Sequence, residues 1–296
     1  MRKAYLQMHV AILLWGFTAI FGKLIHLDEG LLVWYRMFIS ALAMGIFLAF
    51  QKKLRGISLR QALPVTIIGA VITLHWITFY GAIKASNVSI AISCFSSVAL
   101  FTAILDPLLK GRRPKVQELG LGLAVITGIY IIFSGQELYL KGILLSVTSA
   151  FLASLFTILN KRISNTLEPG IITFFEIGTG FMLLTLLLPV WFTVNNSSFQ
   201  WPGYDDLIYL GLLSIVCTTV AFTLSLHALQ KIDAFTMNLS VNLEPLYSIV
   251  LAFILFNEYE MLNRRFYIGS LIILFAVILH GWMMLRTAHQ KKEGLN

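Results

Sequence analysis

Residues 234–256 read AFTMNLSVNLEPLYSIVLAFILF. The stretch is long enough to cross a bilayer, because about 20 helical residues span the ~30 Å of hydrocarbon. Yet Asn238, Asn242, Glu244 and Pro245 stand near its middle. At about 100° per residue, Asn238 and Asn242 share one helix face. Thr236, Ser240, Glu244, Tyr247 and Ser248 share another. A helix polar on two faces cannot lie against lipid; it must be ringed by other helices or line a watery cavity. Pro245 has no N–H and clashes with the carbonyl one turn back, which predicts a bend there.

The remaining chain supplies the ring. Of 296 residues, 58% are hydrophobic and 12% charged, about half the charged share of a soluble domain. Ten apolar stretches lie near residues 6–25, 31–50, 63–83, 87–109, 116–133, 142–159, 170–193, 205–228, 234–256 and 266–286. Loops between them are short, and no soluble domain fits. The sequence therefore predicts an all-α integral membrane protein of ten transmembrane helices. The opening Met1-Arg2-Lys3 and apolar run look like a secretory signal, but no small-x-small cleavage site follows Ile20, so the first span is expected to be retained.

The net charge of +8 belongs to loops rather than to a nucleic-acid partner, since no basic helix or aromatic-basic patch is present. With the N-terminus inside, sixteen Lys and Arg fall in cytoplasmic segments, among them Lys52, Lys53, Arg112, Arg113, Lys115, Lys291 and Lys292. Four, Lys84, Lys141, Arg264 and Arg265, fall outside. That bias places both termini in the cytoplasm of a multi-pass protein of a bacterial-type inner (plasma) membrane. Cys94 and Cys217 both lie in apolar spans, which argues against disulfides and zinc.

Residues 80–88, YGAIKASNV, match residues 226–234, LHALQKIDA, at an offset of 146. Each joins a third span to a fourth within its half. Five spans per half is odd, so residues 1–137 and 138–296 form two five-helix repeats of opposite orientation. Inverted repeats are common in secondary transporters, with the site near the midplane between halves.

Trp15-Gly16 with Lys23, Tyr35-Arg36-Met37-Phe38, the Ala82-Ile83-Lys84 and Ala228-Leu229-Gln230 junctions, Glu244-Pro245 and Asn257-Glu258 appear in order along the chain. Together they resemble the drug/metabolite transporter superfamily, EamA-type, over nearly the whole sequence. The resemblance implies ten spans in two repeats and transport by alternating access. It favours an amino-acid-like metabolite, moved outward. The alternative is broad export of drugs or organic cations; a membrane-embedded enzyme and a non-transporting membrane protein are more remote.

Candidate substrate or coupling residues follow from polarity inside apolar spans. A midplane carboxylate costs about 2.5–3.5 kcal/mol on insertion scales, so Glu244 is expected to hold a proton or a substrate amine. Asn238 and Asn242 would meet polar substrate groups. Ser93 and Ser96, one helical face with Ser89, would line the cavity opposite the ninth span. Arg36 and Lys23 would form an outward positive patch for a carboxylate or phosphate, or else pair with Asp28 or Glu29. Glu176 lies at matching depth in the other half, 140 positions after Arg36. His75 could relay protons, and Trp76 and Trp15, with Tyr80, could stack on substrate. Gly120, Ala124 and Gly128 form a small-xxx-small stripe joining either the two halves or two subunits, so monomer and homodimer stay open. No His-Glu-x-x-His, phosphate-binding Gly-rich loop or Gly-x-Ser-x-Gly elbow occurs. The expectation is no enzyme, no cofactor and no metal, with a small-molecule substrate, the bilayer and proton coupling as partners.

Overall fold

The computed structural model describes residues 1–114, 116–134, 139–241 and 243–292, and these contain helices and no strand. Asn242 and Lys115 lie outside the described residues, as do the side chains of His280, Lys291 and Lys292. The helices are α1 (Arg2–Gly16), α2 (Thr18–Leu24), α3 (Glu29–Phe50), α4 (Leu59–Ala85), α5 (Val88–Phe95), α6 (Val98–Leu109) and α7 (Val116–Ser134). They continue as α8 (Leu140–Ile163), α9 (Pro169–Asn195), α10 (Tyr204–Ser214), α11 (Ala221–Leu229), α12 (Ala234–Val241), α13 (Glu244–Phe256) and α14 (Arg264–Lys292).

Helix falls over every apolar stretch picked from the sequence. Among the described residues, seven segments are long and apolar enough to cross a membrane: Arg2–Leu24, Glu29–Phe50, Leu59–Ala85, Val88–Leu109, Leu140–Ile163, Pro169–Asn195 and Tyr204–Leu229. Gly120–Ile132 and Tyr247–Phe256 are shorter apolar helices. Leu42, Phe47, Leu123, Leu186, Leu271 and Phe275 are exposed on the outside, where a hydrocarbon solvent would make them welcome.

Local signals explain the ends. The Asp28 carboxylate accepts from Leu31 N at the start of α3, and Asn87 Oδ1 accepts from Ile90 N at the start of α5. A Ser58–Gln61 capping box opens α4. Asn196 and Asn257 end α9 and α13 in the left-handed conformation.

Several spans are broken rather than straight. Phe17 separates α1 from α2, and Ser96 and Ser97 separate α5 from α6. A π-helical turn, Ile215–Val220, separates α10 from α11. At the bend predicted from Pro245, α12 ends at Val241, Leu243 lies in a turn and α13 starts at Glu244. The proline ring excludes the carbonyl four residues earlier, which is that of Val241.

The packing is matched between halves. α4 lies on α8 as α1 lies on α11; α4 lies on α9 as α10 lies on α3; α5 and α6 touch α8 as α13 and α12 touch α1. The pairs α3–α9 and α7–α14 are their own counterparts, and α5–α13 is the counterpart of α6–α12. Finer details repeat too. Lys84 Nζ donates to Ile25 O, and Gln230 Nε2, 146 positions on, donates to Ser164 O.

Candidate transport cavity

Helices from both halves enclose a cavity of about 60 Å³. Arg36 of α3 is its most constrained member, 1% exposed in the middle of an apolar bundle. Its guanidinium lies 3.7 Å from the centre of the Trp76 ring. Nε donates to Thr218 Oγ1 at 2.7 Å and Nη1 to Tyr80 Oη at 2.7 Å. Thr218 belongs to the π-helical turn, where its hydroxyl also reaches Leu213 O. The fork is thus fixed from three sides, and Nη2 has no hydrogen-bond partner among the described residues. Arg36 does not pair with Asp28 or Glu29. Asp28 Oδ1 accepts instead from Leu31 N and Trp191 Nε1.

Glu244 opens α13, immediately after the break in its span, and is 5% exposed. It lines the same cavity as Arg36. No protein group among the described residues hydrogen-bonds its carboxylate. A buried charge left this way is costly unless something complements it.

The walls are mostly aromatic. Trp15 and Trp76 each meet Phe222 edge-on, with centroids 6.1 and 5.8 Å apart. Phe79, Phe95 and Phe156 surround His75. His75 lines the cavity, and its Nδ1 lies 3.0 Å from Ser149 O and 2.8 Å from Ser149 Oγ. Asn238 also lines it, while its amide donates to Thr102 Oγ1 at 2.8 Å, and Thr102 donates on to Ser154.

The structure therefore brings Arg36, Glu244, Asn238, His75, Trp76 and Trp15 together. Glu176 is fully buried and sits behind Asn160, whose amide lies 3.4 Å from Glu176 Oε2. Asn242 lies outside the described residues. Ser93 and Ser96 face elsewhere. They line a separate, largely apolar pocket of about 260 Å³ with Pro245 of α13 and Ser270 of α14. Ser270 donates to Ser93 at 3.2 Å, and Ser96 bonds back to Ile92 O. Lys23 is also absent from the cavity: it pairs with Glu258 at 2.7 Å and lies over the Phe256 ring.

Sequence reasoning passed over Thr218, Asn160, Thr157, Phe222 and Ser225. Thr218 had no signal, because a π-helical turn leaves no periodicity to read. Asn160 did have one: it is an amide in an otherwise apolar run, but its neighbours Lys161 and Arg162 made it look interfacial.

The model of the EamA-like transporter family matches this chain over residues 2–134 and again over 140–282. An uncharacterized transporter of Bacillus subtilis (strain 168), YxxF, is 24% identical over 256 residues, covering 84% of this chain and 80% of its own. An uncharacterized transporter of Archaeoglobus fulgidus is 25% identical over 268 residues, covering 86% of this chain and 90% of its own. One solved crystal structure superposes with a TM-score of 0.66 at 18% identity, over 97% of this chain and 99% of that one.

Proposed function

The chain belongs to the EamA-like transporter family, and from that premise we propose that this membrane transporter moves a small amino-acid-like zwitterion by alternating access. The observation that carries the reading is that Arg36 and Glu244 line one small cavity. A substrate carboxylate meets the Arg36 guanidinium, already held in position, and charge-assisted bonds of this kind are the strong ones. A substrate ammonium meets Glu244. The apolar remainder packs against Trp15, Trp76 and Phe222. One cation and one anion leave the cavity balanced for a zwitterion, whereas an organic cation alone would face Arg36.

The matched packing of the two halves supports an inverted five-plus-five arrangement of ten spans, split near residue 138. The loop charge bias supports cytoplasmic termini in an inner membrane, and the family resemblance favours export as the direction. A cavity of about 60 Å³ is far below the ~300–1,000 Å³ of a typical open ligand site. Helices must part on one side and then the other for substrate to pass, as alternating access requires.

A thermal-shift panel on purified protein tests the reading, because a ligand of the native state raises the melting temperature. Amino acids should raise it, and their esters and decarboxylated amines should not. The wild type should show counterflow of the stabilising amino acid in vesicles, and Arg36→Gln should lose it. Equal stabilisation by the amines would replace this reading with organic-cation export.

A further inference from the structure

Glu176 is 0% exposed and lies on α9, one side chain away from the cavity. An ionised carboxylate offers about four acceptor sites. Here it receives one long contact, from Asn160 Nδ2 to Oε2 at 3.4 Å. Its other oxygen, Oε1, is buried with no partner. Asn160 Oδ1 is likewise buried with no partner. Two orphaned acceptors on two side chains already in contact lack one donor between them. Asn160 lines the cavity, so it stands between Glu176 and the space that substrate and water would enter.

Among the described residues no counter-charge supplies that donor. On α3, Arg36 reaches Thr218, Tyr80 and the Trp76 ring rather than Glu176, and Glu29 lies at the helix start. On α4, His75 is taken by Ser149, Lys84 by the carbonyls of Ile25 and Leu27, and Arg60 stands in the first turn. On α8, Lys161 reaches Leu229 O and Arg162 reaches Leu109 O, while Lys141 is at the far end. On α11, His227 lines a different pocket. The backbones of α4 and α9 close the other side: a Cβ on Gly69 would run into Glu176 O, and one on Gly180 would lie 3.0 Å from Gly69 O.

We propose that Glu176 and Asn160 form a proton-binding site, distinct from the zwitterion site at Arg36 and Glu244 and loaded from the cavity through Asn160. A proton on Glu176 turns one acceptor into a donor, and Asn160 Oδ1 is the acceptor waiting for it. The proton comes from cavity water and returns there, so no other reactant is needed. An ionised Glu176 would have to find a new donor, which ties its protonation to how the cavity is arranged.

Infrared spectroscopy of the full-length protein in lipid tests this without any substrate. The wild type at neutral pH should show the C=O band of a protonated carboxylic acid. Glu176→Gln should lose that band and Glu244→Gln should keep it. Absence of the band in the wild type, or its survival in Glu176→Gln, overturns the site. Asn160→Leu should move the band by removing the acceptor, and this arm stands if the Glu176 variant does not fold; an unmoved band overturns the pairing. Transfer to heavy water should shift the wild-type band while the protein stays folded. A band that does not exchange overturns loading from the cavity. A thermal-shift panel that fails to find a zwitterion leaves all of these results interpretable, because none of them uses substrate.

Discussion

Lys23 and Glu258 are 235 positions apart and meet at 2.7 Å. The Glu258 carboxylate is fully buried and also accepts from Val88 N, Ser89 N and Ser89 Oγ. One side chain from the turn after α13 thus caps α5 and holds the end of α2. The anion sits at a helix N-terminus, where the unpaired N–H groups and the helix dipole favour it. Glu258→Ala strands three donors and a partly buried ammonium. Each buried donor left without an acceptor costs about 1–3 kcal/mol, so this variant should melt far below the wild type in detergent. Lys23 is about one-third exposed, so Lys23→Met should cost about 1 kcal/mol or less. Similar small shifts for both would show that the carboxylate is not what holds the three segments.

Gly128 of α7 and Gly269 of α14 touch backbone to backbone. A Cβ on Gly128 would lie 2.7 Å from Gly269 O, and one on Gly269 would lie 2.5 Å from Gly128 O. The small-residue stripe of α7 therefore joins the two halves of one chain at Gly128. Gly120, in the same stripe, has nothing within 4 Å. Gly128→Val should destabilise by about 1–3 kcal/mol, the usual cost of overpacking. Gly120→Ala should be neutral, or raise stability by up to about 1 kcal/mol through helix propensity. Thermal unfolding of the two variants side by side decides it. Destabilisation by Gly120→Ala would point to a surface covered by a second copy.

Arg36 tests whether charge or fork geometry matters in the cavity. Lysine keeps the charge but cannot donate to Thr218 and Tyr80 at once while stacking on Trp76. Arg36→Lys should therefore cut counterflow at least ~10-fold, equivalent to about 1.4 kcal/mol. Trp76→Leu removes the face under the guanidinium and should cost up to ~10-fold by the cation–π scale. Wild-type counterflow in Arg36→Lys would mean that a point charge suffices.

Much of the fold was legible because apolar runs of about 20 residues have few alternatives. Helices lie over residues 31–50 and 170–193 as expected, and the matched junctions at Lys84 and Gln230 make equivalent bonds. The site was less legible, because sequence gives a helix face but not the rotation of that face within a bundle. Ser93 and Ser96 share a face as expected, yet α5 is turned so that this face meets α13 and α14. Glu258 clamps the N-terminus of α5 from a turn that was not singled out for the purpose. Lys23 was read as substrate-facing for the same reason: its partner is 235 positions away. Breaks without proline, at Phe17 and at Ser96–Ser97, left no mark in the hydrophobic pattern. Pro245 did leave one.

Asn238 lines the central cavity, and Ser93 lines the pocket between α5, α13 and α14. Asn238 lines the cavity and spends its amide on Thr102, which passes a hydrogen bond to Ser154. Asn238→Ala leaves the Thr102–Ser154 bond in place but removes a polar wall and opens space inside the cavity. Counterflow of an amino acid should fall several-fold, through KM more than through the maximal rate, if Asn238 contacts substrate. Among the described residues, the Ser93 hydroxyl meets Ser270, outside that cavity. Ser93→Ala leaves Ser270 an unpaired but partly solvated hydroxyl, at a cost of about 1 kcal/mol or less. Its KM should match the wild type. A rise in KM for Ser93→Ala, with none for Asn238→Ala, would move the substrate path from the central cavity to the pocket between α5, α13 and α14.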